Sequence, residues 1–319
     1  HAISNAFTFA PIPGMDMSAK YKAPYLQGNT QRLATEEYKR DPKKYSHVLQ
    51  TDPSEVNYGW TYPMWLDAMK KTGTWKPTNN KVHIISEQTG YNQTILKAAK
   101  ESLAKSEWEF AGDTQIQYPV NDWAPVIQEL KKVGAAAIMC NHWMASEEAA
   151  FCKQFRADPV SGALVYVQYG ASQPEFLELG GRAMEGFCWS TVLGIYGDKM
   201  GEQFRKDYLK RFPEFGTYKK NTMGLVYTGN GYDIVNYLEA SWNATKALGL
   251  NVEDFEKNSK WIRNNPFRGV CGNMDMNNEY QEARHFPDNG FGNQASTHNS
   301  GMGQLYCQVQ DVQHRIIWP

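Results

Sequence analysis

The chain has 319 residues, of which 41% are hydrophobic, so it is long enough to build the cores of two ordinary domains. Its 33 basic and 34 acidic residues give a net charge of -1 without a long basic run, which argues against a nucleic-acid partner. The longest apolar runs, such as residues 134–140, fall far short of the roughly 18 residues that a membrane-spanning helix requires.

Residues 1–80 are rich in turn signals, with a predicted helix over residues 62–71 and a polar linker at residues 77–80. From Lys81 to Thr191, short apolar strands then alternate with amphipathic helices. This alternation predicts right-handed crossovers and a mostly parallel sheet that is buried on both faces. The strands are predicted at residues 82–85, 108–118, 135–140, 163–168 and 184–190.

Polar and aromatic residues follow these predicted strands where each strand ends. Ligands of open parallel sheets bind outside the carboxyl ends of the strands, and aromatic walls with a few hydrogen-bonding groups suit a small organic ligand. The candidate ligand residues are Tyr91, Asn141, His142, Trp143, Gln168, Tyr169 and Trp189. The alternatives are a helix-start packing contact for Tyr91, a core or lobe-interface role for Trp143 and Trp189, and a local hydrogen bond for His142.

After residue 191, the spacing predicts helices over residues 200–212, 232–248 and 252–262, and strands over residues 304–310 and 315–318. Residues 286–303 form a polar loop that is not expected to pack by itself. The five cysteines have no CxxC spacing, so neither a zinc ribbon nor a thioredoxin-like site is indicated. Cys271 and Cys307 lie in candidate strands, and a disulfide between them stays open if those strands are neighbours.

The sequence lacks the motifs that usually accompany nucleophilic, zinc or nucleotide chemistry, namely GxSxG, HExxH, the P-loop and a GxGxxG after the first strand. A Cys-His hydrolase using Cys140 and His142 would require both side chains to reach the cleft, and this hypothesis is disfavoured. His285, His298 and Asp288 fit a solvated loop better than a metal site. We therefore predict no enzyme activity, no metal and no cofactor.

Five segments in this order resemble the type I periplasmic substrate-binding proteins of ABC transporters, in the branched-chain amino acid and amide class that includes Leu/Ile/Val-binding proteins. They read KVHIISEQTGYNQTILKAAKESL, YPVNDWAPVIQELKKVGAAAIMCN, YDIVNYLEASWNATKAL, FRGVCGNMDMN and GQLYCQVQD. The resemblance implies an α/β fold of two lobes, with parallel sheets flanked by helices and a three-strand hinge. It assigns residues 1–80 and 195–265 to lobe 1, and residues 81–194 and 266–319 to lobe 2.

Family members begin with elements of lobe 1 that this sequence does not match, so lobe 1 is expected to be incomplete at its N-terminal side. A fragment is the favoured explanation, an unusual truncation is the alternative, and the absence of a visible signal peptide agrees with a fragment. The resemblance also implies ligand contacts from Thr8 with Phe9, from Asn29 with Thr30, and from Tyr91. No acidic residue securely matches the family's ammonium partner, and Glu87 and Asp233 are the nearest candidates. The alternatives are helix caps for Thr8 and Thr30 and a helix-start charge for Asp233.

The function implied by this resemblance is that of an extracytoplasmic solute-binding protein. It would capture a small polar or aromatic ligand, such as an amino acid, an amide or a carboxylate, between two closing lobes and deliver it to the permease subunits of an ABC importer. A monomer is expected in the periplasm, or lipid-anchored outside a Gram-positive cell, with membrane contact only through the transporter. The alternative is a ligand-sensing receptor or regulator of the same fold, and a hydrolase is less favoured.

Overall fold

The computed structural model describes residues 2–5, 8, 10–213, 226–251 and 253–319. This part of the chain forms a mixed α/β fold of two compact units. Within the described residues, unit 1 comprises residues 2–55, 192–213 and 226–304, and unit 2 comprises residues 56–191 and 305–319. The described chain therefore passes from one unit to the other at residues 55/56, 191/192 and 304/305.

The helices span most of the regions that the apolar spacing predicts. They are α1 (Pro11–Tyr21), α2 (Arg32–Arg40), α3 (Val56–Trp60), α4 (Tyr62–Thr72), α5 (Gly90–Leu103), α6 (Ala124–Val133), α7 (Ala145–Ala157), α8 (Pro174–Gly180), α9 (Lys199–Arg211), α10 (Val226–Ala247) and α11 (Phe255–Asn264).

The strands fall into one large sheet and several small ones. They are β1 (Ile3–Asn5), β2 (Tyr25–Gln27), β3 (Val48–Gln50), β4 (Lys81–Glu87), β5 (Glu109–Ile116), β6 (Ala137–Asn141), β7 (Leu164–Val167), β8 (Cys188–Thr191), β9 (Phe267–Gly269), β10 (Gly272–Met274), β11 (His285–Phe286), β12 (Met302–Gly303), β13 (Leu305–Gln310) and β14 (Gln313–Trp318).

Unit 2 is built on a seven-stranded sheet with the order β14-β13-β8-β7-β6-β4-β5. Strands β4 to β8 run parallel, with Ile84 opposite Met139, and β13 pairs antiparallel with β8. Strand β4 is an apolar run because helices cover both faces of such a sheet. On α5, Ile95, Ala99 and Leu103 are buried, as their 3.6-residue spacing predicts. The mostly parallel sheet is therefore confirmed.

Unit 1 contains a parallel three-stranded sheet with the order β1-β2-β3. Beside β3, Ala283 donates its backbone N–H to Gln50 O at 2.8 Å, and Gln50 N donates to Gln281 O at 3.0 Å. Residues 281–283 thus continue the ladder and place Glu282 next to Gln50 across the sheet. One core cluster holds α1, α2 and the strands together through Met15, Tyr25, Ala34, Tyr38, Tyr45 and Val48.

The two units differ from the predicted lobes at residues 56–80, 192–194 and 266–304. Residues 56–80 belong to unit 2 because α3 packs closely on α5, where a Cβ on Gly59 would lie 2.4 Å from the backbone nitrogen of Ala99. Residues 266–304 belong to unit 1, and β11 pairs with β12 across the loop that was expected not to pack.

Some strand and helix boundaries also differ from the predicted ones. The strand predicted at residues 184–190 is shorter, because a 3-10 turn occupies Gly181–Met184 and β8 begins only at Cys188. Helix α10 begins six residues before its predicted start at Tyr232. All five cysteines are buried thiols, so the disulfide considered for Cys271 and Cys307 is not formed. None of the described helices combines the length and apolar character that crossing a bilayer requires.

Candidate functional site

The carboxyl ends of β4, β6 and β7 meet at one edge of the unit 2 sheet, which we call the unit 2 edge. Asn141 at the end of β6 donates from Nδ2 to Ser86 Oγ at 3.2 Å and to the backbone oxygen of Asn92 at 2.6 Å. The side chain of Asn141 therefore ties β6 to the end of β4 and to α5. Its Oδ1 is buried and has no hydrogen-bond partner among the described residues.

Glu87 fixes the start of α5. Its Oε2 accepts hydrogen bonds from the backbone N–H of Thr89 and from Nδ2 of Asn92, both at 2.9 Å. These bonds hold the turn at residues 86–91 against the first turn of α5 and so position Tyr91 at the edge. Glu87 was a candidate partner for a ligand ammonium. In the structure its carboxylate stabilises the turn instead.

Tyr91 and Tyr169 form an aromatic pair at the unit 2 edge. Their rings meet edge to face, with centroids 6.1 Å apart and an interplanar angle of 61°. Tyr91 is half-buried, and Tyr169 is held with φ of +50°, a strained value for a non-glycine residue. Beside Tyr169, Gln168 accepts from the Tyr166 hydroxyl, which leaves its buried Nε2 donor without a partner in the described chain.

His142 and Trp143 follow β6, and the structure gives His142 a local role. Its Nδ1 accepts the backbone N–H of Trp143 at 2.8 Å, so Nε2 carries the proton and donates to Glu147 at 2.7 Å. Burial lowers the pKa of His142, although Glu147 opposes this shift. The half-buried ring of Trp143 packs at 5.3 Å from the ring of Tyr118. Of the two, only Trp143 keeps a side chain suited to a ligand contact.

The structure does not place the Trp189 side chain with the residues of the unit 2 edge. Its fully buried indole donates from Nε1 to Nδ1 of His314 on β14 at 2.9 Å, with ring centroids 4.9 Å apart. Burial lowers the pKa of His314 to about 3, which keeps the imidazole neutral and able to accept. The core alternative therefore accounts for Trp189, because its polar atom is already satisfied within the sheet.

The carboxyl ends of β1, β2 and β3 form a second group of polar residues, which we call the unit 1 edge. Asn29 donates from Nδ2 to the backbone oxygen of Thr8 at 3.1 Å, so the structure brings these two predicted residues together. Thr30 donates from its backbone N–H and its hydroxyl to Asp52 Oδ1, at 3.0 and 2.8 Å. Phe9 lies outside the described residues.

Three buried carboxyl groups in unit 1 were not found from the sequence. Besides Asp52, Glu55 accepts the backbone N–H of Arg32 at 2.7 Å, and Glu282 accepts that of Ser54 at 2.6 Å. Burial raises the pKa of Asp52 to about 7, of Glu55 to about 8 and of Glu282 to about 7. For Asp52, the available signal was the Asp-Pro-Ser turn pattern at residues 52–54, shortly after β3.

Asn230 on α10 is another candidate site residue that was not found from the sequence. A Cβ built on Gly28 would lie 2.1 Å from Asn230 Oδ1, closer than real atoms approach, so the missing side chain of Gly28 makes room for this carboxamide. Gly28 directly follows β2, and Asn230 therefore belongs to the unit 1 edge. No short-range sequence pattern connects two positions that are this far apart in the chain.

Asp233, one turn further along α10, has a structural role. Its carboxylate accepts the backbone N–H groups of Val270 at 2.8 Å and Cys271 at 2.9 Å, which holds the turn between β9 and β10. The carboxylate is thus engaged within unit 1, and a helix-start charge does not account for it because α10 begins seven residues before Asp233. In the described ranges, no group of three or more His, Cys, Asp or Glu residues is arranged to hold a metal ion.

Comparison with known proteins shows where this arrangement occurs. A family model described as "Periplasmic binding protein" matches residues 17–286. A solved structure of a putative branched-chain amino acid ABC transporter from Silicibacter pomeroyi is 26% identical, with a TM-score of 0.85, and the match covers 96% of this chain and 75% of that chain. A search of curated proteins found no match.

More distant structures share the fold alone. A solute-binding protein from R. palustris in complex with benzoate is 14% identical, with a TM-score of 0.67 over 96% of this chain and 73% of that chain. A substrate-binding protein from Desulfitobacterium hafniense in complex with Leu is 13% identical, with a TM-score of 0.67 over 99% and 80% of the two chains. Because the family model spans most of the sequence, the predicted family and fold class are confirmed, and the chain belongs to the periplasmic binding protein family of extracytoplasmic solute-binding proteins.

Proposed function

We propose that this protein is the solute-binding component of an ABC importer and that polar atoms at the unit 1 edge and at the unit 2 edge contact a small organic ligand. The observation that carries this proposal is a set of buried polar side-chain atoms at the two edges that lack a partner in the described chain. They are Gln27 Oε1, Gln50 Oε1 and both amide atoms of Asn230 in unit 1, and Asn141 Oδ1 and Gln168 Nε2 in unit 2.

Such atoms are uncommon in native proteins. Most buried polar side-chain atoms have a hydrogen-bond partner, and each one left without a partner costs about 1–3 kcal/mol. A bound ligand that supplies the missing partners would remove this cost. These atoms lie at the carboxyl ends of parallel strands, which is where open α/β sheets bind their ligands.

The aromatic pair of the unit 2 edge supplies the apolar part of the proposed contact. Tyr91 and Tyr169 offer large rigid surfaces at a low cost in side-chain entropy. Trp143, just after β6, adds a third ring. Gln168 adds a hydrogen-bond donor through its unpaired Nε2. This combination suits a small ligand with an apolar body and a polar end.

The unit 1 edge supplies polar contacts. Thr8 and Asn29 are in hydrogen-bond contact with each other, whereas both donors of Thr30 are already used by Asp52. We therefore propose that Thr8 and Asn29 contact the ligand and that Thr30 positions Asp52. The contact of Phe9 rests on the family resemblance.

The transport role rests on the family. Delivery to permease subunits, closure of the lobes around the ligand, a periplasmic or lipid-anchored location and a monomeric state are proposed together with it. The solved relatives named above are a putative branched-chain amino acid ABC transporter and complexes with benzoate and with Leu, which supports a small amino acid or carboxylic-acid derivative as the ligand.

Mass spectrometry of the compound released from the purified protein tests this proposal most directly. We expect one small organic compound that binds again with one-to-one stoichiometry by calorimetry and is recovered unchanged after long incubation. Recovery of a chemically altered compound would contradict a pure binding role. A protein that retains no compound and gains no thermal stability from amino acids, amides or carboxylates would contradict the proposed ligand class.

A further inference from the structure

The carboxamide of Asn230 is fully buried on α10, and neither of its polar atoms has a hydrogen-bond partner in the residues that the structure describes. Its identity as a donor and an acceptor does not depend on how the amide is oriented. Exchanging Oδ1 and Nδ2 would still leave one of each unsatisfied. The site therefore offers one donor and one acceptor side by side.

Gly28, which lies next to this carboxamide, and its two chain neighbours use donors elsewhere. The backbone N–H of Gly28 donates to Asn5 O at 2.7 Å, and Nδ2 of Asn29 donates to Thr8 O at 3.1 Å. Nε2 of Gln27 donates to Asn29 O at 3.0 Å, and this bond fixes the unpaired atom of Gln27 as the oxygen. These three donors are thus in use and do not serve Asn230.

The space for Asn230 is made by Gly28. A Cβ at that position would lie 2.1 Å from Oδ1 and 3.2 Å from Cγ of Asn230. An alanine at position 28 would therefore displace the carboxamide. A buried polar side chain held against a backbone that only glycine permits is a built feature of the unit 1 edge.

We infer that Asn230 recognises a carboxamide group of the ligand, the class that includes primary amides, lactams and ureas. Its Nδ2 would donate to the ligand carbonyl oxygen while its Oδ1 accepts a ligand N–H, as in a paired amide. A carboxylate offers only acceptors and an ammonium offers only donors, so either would leave one atom of Asn230 unsatisfied. This inference rests on the proposed function and narrows its ligand.

Acetamide is a suitable probe because it is small and contains little besides this group, and acetate is its matched acid. We expect acetamide to raise the melting temperature of the dialysed wild-type protein and acetate to have no comparable effect. In Asn230→Leu, which nearly keeps the volume but loses both the donor and the acceptor, acetamide affinity should fall at least about tenfold. Asn230→Ala and Gly28→Ala should lose the shift as well.

Asn236→Ala is the matched control, because Asn236 lies on the same helix and donates only to Tyr232 O of that helix. It should keep the wild-type response. The double variant of Gly28→Ala with Asn230→Ala relieves the clash, so it should fold like Asn230→Ala and still fail to respond. Far-ultraviolet circular dichroism without ligand checks the fold of each variant.

The inference is overturned if acetamide gives no shift, if acetate gives the same shift, or if Asn230→Leu keeps wild-type acetamide affinity. The first result would mean that a buried water satisfies Asn230. The wild-type comparison of the two probes needs no variant, so misfolding cannot obscure it. If the released natural compound still binds while these probes fail, the proposed function stands and only the carboxamide assignment is wrong.

Discussion

The imidazole of His142 donates from Nε2 to the carboxylate of Glu147 at 2.7 Å, while its Nδ1 accepts the backbone N–H of Trp143. Glu147 also accepts the backbone N–H of Val120, so one buried pair joins the end of β6, α7 and the loop before α6. Both ring nitrogens are satisfied inside unit 2. His142 therefore shapes the unit 2 edge and is not available to a ligand.

Replacing His142 by alanine should destabilise the protein. The change leaves a carboxylate and a backbone donor without their partner, and such losses cost about 1–3 kcal/mol each. Urea denaturation followed by circular dichroism measures the effect. His298→Ala, at an exposed position, should stay within about 0.5 kcal/mol of the wild type. Unchanged stability with a loss of ligand affinity would return His142 to the ligand site.

The elements of unit 2 could be predicted because their signals are local. The apolar run of β4 and the buried face of α5 follow from spacing within a few residues, and Pro125 with Asp122 marks the start of α6, where Asp122 Oδ1 accepts the backbone N–H of Ala124 at 3.0 Å. The position of Tyr91 at the edge also follows from one strand-to-helix turn.

The rest depended on contacts that no local pattern encodes. Trp189 has its hydrogen-bond partner in His314, 125 residues later. The side chain of Asn230 fits only because the distant residue 28 is a glycine. The buried carboxyl groups depend on residues 281–283 adding to the sheet beside β3. A sequence shows which residues are polar and which are apolar, whereas these pairings arise only when distant segments pack.

Tyr91→Ala should weaken ligand binding without unfolding the protein. The side chain is half-buried, so its removal costs little stability, but it deletes one ring of the pair with Tyr169. We expect roughly tenfold lower affinity by calorimetry with the released compound, because a buried aromatic contact is worth about 0.5–1.5 kcal/mol beyond its area.

Tyr91→Phe keeps the ring and should bind nearly as well as the wild type, which separates the ring from the hydroxyl. Tyr21→Ala, at a position with 57% exposure on α1, is the control for the loss of a surface tyrosine. If Tyr91→Ala binds like the wild type, the aromatic pair does not contribute to the ligand site.

Trp189→Phe should show the opposite pattern. Phenylalanine keeps a ring in the core but removes the indole N–H, which leaves Nδ1 of the buried His314 unpaired. We expect a loss of about 1–3 kcal/mol in the free energy of unfolding and an unchanged affinity for the released compound. A change in affinity at unchanged stability would show that Trp189 belongs to the site after all.

The buried carboxyl groups of unit 1 should make stability fall as the pH rises. Burial raises the pKa of Asp52 from 3.8 to about 7, so the folded state holds a proton that the unfolded state has already lost. Its contribution is complete below pH 4 and is lost as the pH rises through about 7. Glu55 and Glu282, with pKa values raised to about 8 and about 7, act in the same direction.

Asp52→Asn tests this directly, because an asparagine oxygen can still accept both hydrogen bonds from Thr30 and cannot ionise. At pH 8 the variant should be more stable than the wild type, by up to about 4 kcal/mol, and at pH 4 the two should be alike. Urea denaturation from pH 4 to 8 measures the difference. Asp122→Asn, at an exposed helix start, should leave the pH profile unchanged. A wild-type stability that rises across this range, or an Asp52→Asn profile parallel to it, would show that Asp52 is already ionised at pH 4 and is stabilised by its bonds to Thr30.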